Sequence, residues 1–362
     1  MSAEETPRRT DEGPDSTHTL NASLNGSALS SPEVGNDSVY GAWEAPGYMV
    51  IIRSIAIVCG VVGFVMNGFV LRALLSNKHL RNSYTFLTNQ VIMDTTSSFL
   101  LTLVYAYKLA GVSFHYEGPG GFAVCILFYS DVLVYIIQVG SIASLVLIAA
   151  ERYFKIVHPL LYRRFYKDWT TVVGIALCWW NGILMNVLVW LTSRLDRGHC
   201  LILQFWPTKT ARARFLQFLV TWQFVIPLLL FIFFYGGILS AVRKRGRVFQ
   251  GKYDEDLSTA LQRKARRSQM NIVVTMFAVS ASFVVSWFPN QFYLIFNSLG
   301  VLANNSTYRN ASTLFIFLNT CVNPLIYATK HELVRKNLGR MFSKKRLKDG
   351  AVKKIQVIST VT

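Results

Sequence analysis

Residues 127–153 read LFYSDVLVYIIQVGSIASLVLIAAERY. Between Val132 and Ala150 this stretch carries no charge. The apolar run from about Leu127 to Ala150 is long enough to cross a bilayer, since a spanning helix needs roughly 20 apolar residues at a rise of ~1.5 Å each. The triplet Glu151-Arg152-Tyr153 follows directly. Charges at the edge of such a helix are costly and mark a working site with a nearby partner, unless they merely stop the helix at the headgroups. The triplet alone leaves both readings open.

The rest of the chain is built in the same way. Of its 362 residues, 52% are hydrophobic and 15% charged, which points away from a soluble protein and toward several spans. Seven long apolar runs occur, at about Met49–Leu74, Tyr84–Leu109, Phe122–Ala150, Thr171–Leu191, Phe215–Val242, Met270–Leu299 and Ser312–Ala328. No repeat of fixed period is visible, and an odd number of runs does not divide into the matched halves of an inverted-repeat transporter. The expected fold is an all-α membrane protein. Residues 1–47 form a disordered, glycosylated outer arm and 48–329 a seven-transmembrane helix bundle. Residues 330–343 form a short amphipathic interfacial helix, and 344–362 a basic tail.

Charge gives the orientation. About two thirds of the 37 Lys and Arg residues fall after runs one, three, five and seven, so those loops and the C-terminus are expected in the cytoplasm, with the N-terminus outside. The net charge of +18 therefore faces anionic lipid and cytosolic partners, and is no sign of nucleic-acid binding. Asn-X-Ser/Thr triplets at Asn21, Asn25, Asn36, Asn304, Asn305 and Asn310 all fall on faces assigned to the outside. The N-terminal arm lacks the basic-then-apolar start of a cleavable signal, so the first span is expected to act as its own insertion signal. Among five cysteines, Cys59, Cys178 and Cys321 lie in apolar runs and read as packing residues. Cys125 and Cys200 lie in oxidising space, where a disulfide between them is expected.

One motif per run makes the chain resemble a rhodopsin-like (class A) G protein-coupled receptor. The motifs are Asn67; Asn89 with Asp94; Glu151-Arg152-Tyr153 with His158-Pro159-Leu160; Trp179; Pro227 with Tyr235; Ser286-Trp287-Phe288-Pro289; and Asn323-Pro324-Leu325-Ile326-Tyr327. Singly they are weak; in this order, from about Met49 to Phe342, they are specific.

The resemblance implies a set of roles. Glu151, Arg152, Tyr153, Tyr235, Asn323, Pro324 and Tyr327 would form the G protein coupling switch. Ile142, Pro227, Phe283 and Trp287 would connect ligand pocket to switch, with ordinary core packing as the plain alternative. Asp94, Ser141, Asn319 and Asn323 would surround an allosteric sodium or proton site, and no other metal or cofactor is implied. Heterotrimeric G protein, arrestin, receptor kinases and membrane lipids are the partners, and the plasma membrane is the location. Gln269 stands where many members carry an acid facing Arg152, which implies a less firmly held resting state. Val334 replaces the usual Phe of the interfacial helix. No cysteine follows Cys321, so anchoring there rests on apolar contact and on Lys344-Lys345-Arg346.

The resemblance also allows exclusions. Phe317 stands where an opsin needs its retinal lysine, so no retinal is expected. No metal-ligand cluster, nucleotide loop or nucleophile motif suggests an enzyme. Val134 stands at the amine-anchoring position of amine receptors, with Asp131 one turn further out. The expected pocket residues Tyr135, Gln138, Gln223, Asn290, Gln291 and Thr313 offer neutral hydrogen-bonding groups. Together with Phe205-Trp206-Pro207 they suit a neuropeptide or peptide hormone, with a small neutral or lipid ligand as the alternative.

Overall fold

The computed structural model describes residues 47–76, 84–111, 118–196, 199–202, 206–249, 257–302, 305–332 and 334–341. The expected glycosylation sites Asn21, Asn25, Asn36 and Asn304, and the basic tail, lie outside the described residues. Seven spans follow in order: Gly47–Leu75, Thr85–Leu109, a composite third from Pro119 to Val157, Asp168–Leu191, a fifth from Lys209 to Phe249, Leu257–Ser298 and Ser306–Lys330. Six of them are long and apolar enough to cross a membrane. The second is 25 residues long, but its Thr, Ser, Asn and Asp side chains hold its mean hydropathy lower. These polar groups are tolerated because most of them face the bundle, not lipid.

Burial sorts the spans. In the third, 67% of the most apolar window is buried inside the protein; in the fourth only 17% is. The third span is therefore the central post and the fourth a lipid-facing one, with exposed Trp169, Val172, Leu177 and Trp180. The third and fourth approach closely at two glycines. A Cβ at Gly182 would run into the Ile136 carbonyl, and one at Gly140 would meet the Cys178 carbonyl at 2.9 Å. Polar bonds then lock neighbours together. Trp179 Nε1 donates to Asn89 Oδ1 at 3.1 Å, and Asn89 Nδ2 donates to Ser144 Oγ at 3.3 Å. Asn67 Nδ2 donates to the Thr320 carbonyl at 2.9 Å and so ties the first span to the seventh.

Helix ends depart from the apolar runs. The third helix continues through Glu151 and Arg152 to Val157, and both residues are buried. The pair is thus inside the helix and does not stop it. At its other end the span is not one helix. A π turn occupies Cys125–Tyr129, and Asp131 adopts a left-handed conformation (φ 57°, ψ 10°) before the regular helix starts at Val132. Among the described residues Asp131 is the one non-glycine with positive φ. A second π turn, Thr221–Val225, precedes Pro227 in the fifth span, where the missing proline N–H leaves the helical ladder incomplete.

The Cys125–Cys200 disulfide is present, with Cα atoms 5.4 Å apart. Cys200 sits on a two-stranded antiparallel hairpin, β1 (Arg194–Asp196) with β2 (His199–Leu201), opposite Leu195. At the far end of the bundle, residues 334–341 are helical. Val334 is fully buried, and Leu338 and Met341 pack on the core, while Arg335, Lys336 and Arg340 are exposed. Asn337 Nδ2 donates to the Ala73 carbonyl at 3.2 Å, docking this helix on the first span.

Candidate functional site

At the end of the bundle away from the disulfide, the Glu151 carboxylate and Arg152 guanidinium lie 3.5 Å apart. Arg152 sits 5.4 Å from the centre of the Tyr84 ring, and its Nε has no partner. On the short helix Pro159–Phe165, Tyr162 donates to Glu151 Oε1 at 3.4 Å. Burial and then the Glu151 charge push the Tyr162 phenol up to about 12, so it keeps its proton and remains a donor. His331, buried just past the seventh span, meets the Tyr84 ring edge-on at 5.3 Å. Burial, with Arg152 second, lowers its pKa to about 4. Tyr235 shares a 3.1 Å hydrogen bond with Ser280, and the buried Tyr327 hydroxyl has no partner. Tyr153 packs between Phe233 and Phe234 of the fifth span, at 5.4 and 5.5 Å. Neither Tyr84 nor His331 was found by sequence reasoning, because neither lies within a motif.

Midway along the bundle, Asp94 is buried and accepts three hydrogen bonds. Its Oδ1 accepts from Ser141 Oγ at 3.1 Å and from Gln90 Nε2 at 3.1 Å; its Oδ2 accepts from Asn323 Nδ2 at 3.0 Å. Gln90 also donates to Ser141. Asn319 stands apart from the carboxylate, accepting from Ser282 at 3.4 Å. A sodium ion needs oxygen lone pairs converging on it. Here two amide N–H groups and a hydroxyl donate to Asp94, while Gln90 Oε1 is buried beside them with no partner. Gln90, one turn before Asp94 and invisible to motif reading, donates to the carboxylate and to Ser141.

Between Asp94 and the disulfide end, Trp287 and Phe283 are nearly inaccessible. Their rings are 5.5 Å apart, and Phe231 meets Phe283 edge-on at 6.0 Å. Ile142 belongs to the same cluster, and Pro227 is buried. The four connector residues are thus inside the bundle, with Phe283 as the aromatic hub.

Above them opens a cavity of about 250 Å³. Of the expected pocket residues, Tyr135, Gln223, Asn290, Gln291 and Thr313 line it. Gln138 does not: it is buried outside the wall, with neither amide atom partnered. Asn290 donates to Ser312 and Thr313 at 3.1 and 3.3 Å, joining the sixth and seventh spans.

The expectation of a neutral wall needs correction. Arg53, Lys108, Arg212 and Arg309 line the cavity, together with one carboxylate, Asp131. Lys108 Nζ binds Asp131 Oδ1 at 2.7 Å, and Arg53 donates to the Lys108 carbonyl at 2.8 Å. Asp131 is therefore already paired with a cation, and Val134 is fully buried. The missed signal was legible, since an ionisable residue such as Arg53 within an apolar run is a functional hypothesis by default. Asn310 also lies on this wall, its amide 3.5 Å from Met49 Sδ. Asn305 caps the seventh span by accepting from the Tyr308 N–H at 3.0 Å.

A bundle of seven spans with a buried Glu-Arg pair at one end and a stapled, side-chain-lined cavity at the other defines a membrane receptor. Residues 66–327 match the 7 transmembrane receptor (rhodopsin family), and the chain belongs to that family. It is similar to melatonin receptor type 1B of Homo sapiens, at 24% identity over 83% of this chain and 79% of the relative. It also resembles neuropeptide Y receptor type 4-2 of Homo sapiens, at 27% identity over 52% of each chain. Among solved structures, squid rhodopsin aligns with a TM-score of 0.66 over 85% of this chain and 91% of that one, at 18% identity. The protein is a receptor and not an enzyme.

Proposed function

We propose that this receptor lies in the plasma membrane with its N-terminus outside. There it converts binding of an extracellular ligand into activation of a heterotrimeric G protein. The observation that carries this reading is Arg152: a permanent charge, buried beside one carboxylate and one aromatic ring, with Nε unpartnered. Holding such a charge in place is worthwhile only if another state offers it better partners. Tyr235 and Tyr327, both buried in the same half of the bundle, are the internal partners, and the G protein is the external one. Arrestin and receptor kinases would use the same end. Leu160, 80% exposed on the short helix beside Glu151, gives this end an apolar contact for a cytosolic protein.

The ligand enters from the disulfide end, where the Cys200 hairpin restrains the rim. Our leading reading is a peptide that inserts its terminal residues, because a cavity of about 250 Å³ is too small to bury a whole peptide. The neuropeptide Y receptor among the relatives is in keeping with this reading. The second reading is a small molecule held entirely within the cavity, as the melatonin receptors' names suggest for those proteins. A peptide and metabolite library applied to the full chain, with G protein nucleotide exchange as readout, tests both. Activity from neither class, together with no basal exchange, refutes the receptor-to-G protein assignment.

A further inference from the structure

The charge of the cavity wall deepens the reading above and rests on it. Lys108 and Asp131 neutralise each other at 2.7 Å. What remains is cationic. Arg53 donates to a backbone carbonyl, a neutral acceptor. Arg212 Nε is buried with no partner. Both line the cavity, and Arg309 adds a third guanidinium to the same wall. Leaving Arg309 out of the count does not change the sign: among the described lining residues, Arg53, Lys108 and Arg212 still face Asp131 alone. Burying a guanidinium is expensive, and among the described lining residues no carboxylate besides Asp131 is available to Arg53 or Arg212. An oxyanion would supply the missing charge, since a planar fork of N–H donors matches carboxylate and phosphate geometry. The remaining lining suits an apolar or aromatic body attached to that anion, with Ile52, Met185, Val189, Leu216 and Leu219 beside Tyr135.

We propose that the cavity binds an oxyanion of the ligand, a carboxylate or phosphate, held by Arg212, with Arg53 adding positive charge to the same wall. A peptide would present its C-terminal carboxylate there; a small ligand would be an organic acid or phosphate ester. Asp131 sets the position of Lys108 and keeps the anion on the arginine side.

Thermal unfolding of the purified full chain in phosphatidylcholine nanodiscs tests this without knowing the natural ligand. The probes are 3-phenylpropionate, 2-phenylethyl phosphate and the neutral 3-phenylpropanamide, at constant ionic strength. At least one anion is expected to raise the midpoint saturably, and the amide to leave it unchanged. Arg212→Gln should weaken the anion's apparent affinity about tenfold or more, as expected for loss of a charge-assisted bond, and Arg53→Gln should weaken it by a smaller factor. Arg53→Lys and Arg212→Lys should retain part of it, which separates charge from folding. Replacing part of the phosphatidylcholine by phosphatidylglycerol identifies the source. A soluble anion keeps its gain, whereas prior occupancy by a lipid headgroup abolishes it. The proposal is overturned if the amide matches the anions, if neither anion shifts the midpoint, or if the Gln variants respond like wild type. Because unfolding is measured, failure here leaves G protein coupling untouched, and failure of coupling leaves this result standing.

Discussion

The Arg152 guanidinium lies 5.4 Å from the centre of the Tyr84 ring, so the residue that opens the second span holds a charge in the last turns of the third. A buried cation over an aromatic face gains roughly 1–2 kcal/mol. Gln269, where the sequence resemblance implies an acid in many relatives, carries no charge, so the restraint on Arg152 rests on this contact and on Glu151. Tyr84→Ala should therefore raise basal nucleotide exchange about fivefold. Tyr84→Phe should stay near wild type, because the ring makes the contact. Equal basal rates in wild type and Tyr84→Ala would show that the ring restrains nothing.

Arg152→Ala should abolish ligand-independent and ligand-driven exchange while leaving surface expression in place. Exchange assays on membranes with matched receptor number decide this. Retained exchange rules out Arg152 as the switch.

The hydrogen-bonded carboxylate at Asp94 gives a prediction with the opposite sign to the family expectation. Sodium, compared with choline at equal ionic strength, should not specifically shift the unfolding midpoint of the wild-type chain. Gln90→Leu removes two donated hydrogen bonds and leaves Asp94 short of positive charge. That variant should gain a saturable sodium-dependent stabilisation. A sodium effect in wild type that Asp94→Asn removes would restore the ion to this site.

His331 makes stability depend on pH. Its folded pKa of about 4 lies below the unfolded value of about 6.5, so the unfolded chain takes up the proton first. The stability it contributes is complete above pH 6.5 and is lost as pH falls toward 4, on the order of 3 kcal/mol in all. Charged Arg152 and the Tyr84 ring flank it, and Glu332 partly offsets the effect. The midpoint of His331→Gln should fall less than that of wild type between pH 6.5 and 4.5. Parallel curves refute the assignment.

Cys125→Ser and Cys200→Ser should each impair surface delivery or ligand binding, with no further loss in the double variant, since either change breaks the same bond. Cys125 is already positioned by the third span, so the bond orders the hairpin that carries Cys200 more than it closes a long loop. Ligand association should suffer more than thermal stability does. Additive losses would mean that each cysteine has a separate role.

Much of the fold was legible because bilayer crossing imposes one simple rule on long stretches, and seven apolar runs obey it. Helix ends were not, because hydropathy ends at a charge while backbone hydrogen bonding continues, as it does from Glu151 to Val157. Most of the activation residues follow fixed motifs and could be read directly. Gln90, Tyr84 and His331 could not, since what matters about each is a partner more than 50 residues away or on another helix. The cationic wall was visible residue by residue, but Arg53, Lys108, Arg212 and Arg309 come from four different spans. Only the closed bundle brings them to one cavity.

The reset at Asp131 changes how this chain can be compared with its relatives. Counting outward from Arg152 keeps each residue on its proper face only as far as Val132. Beyond it lie a left-handed residue and a π turn, and each residue added to a helical circuit rotates the remainder of the helix by about 100°. Contact positions transferred from a relative therefore have to be carried over in two pieces, the inner one in register with Arg152 and the outer one in register with Cys125. A chimaera spliced outside Asp131 would keep the wall that Tyr135 belongs to and exchange the rim above it. The two halves of one helix are in this sense separately replaceable parts.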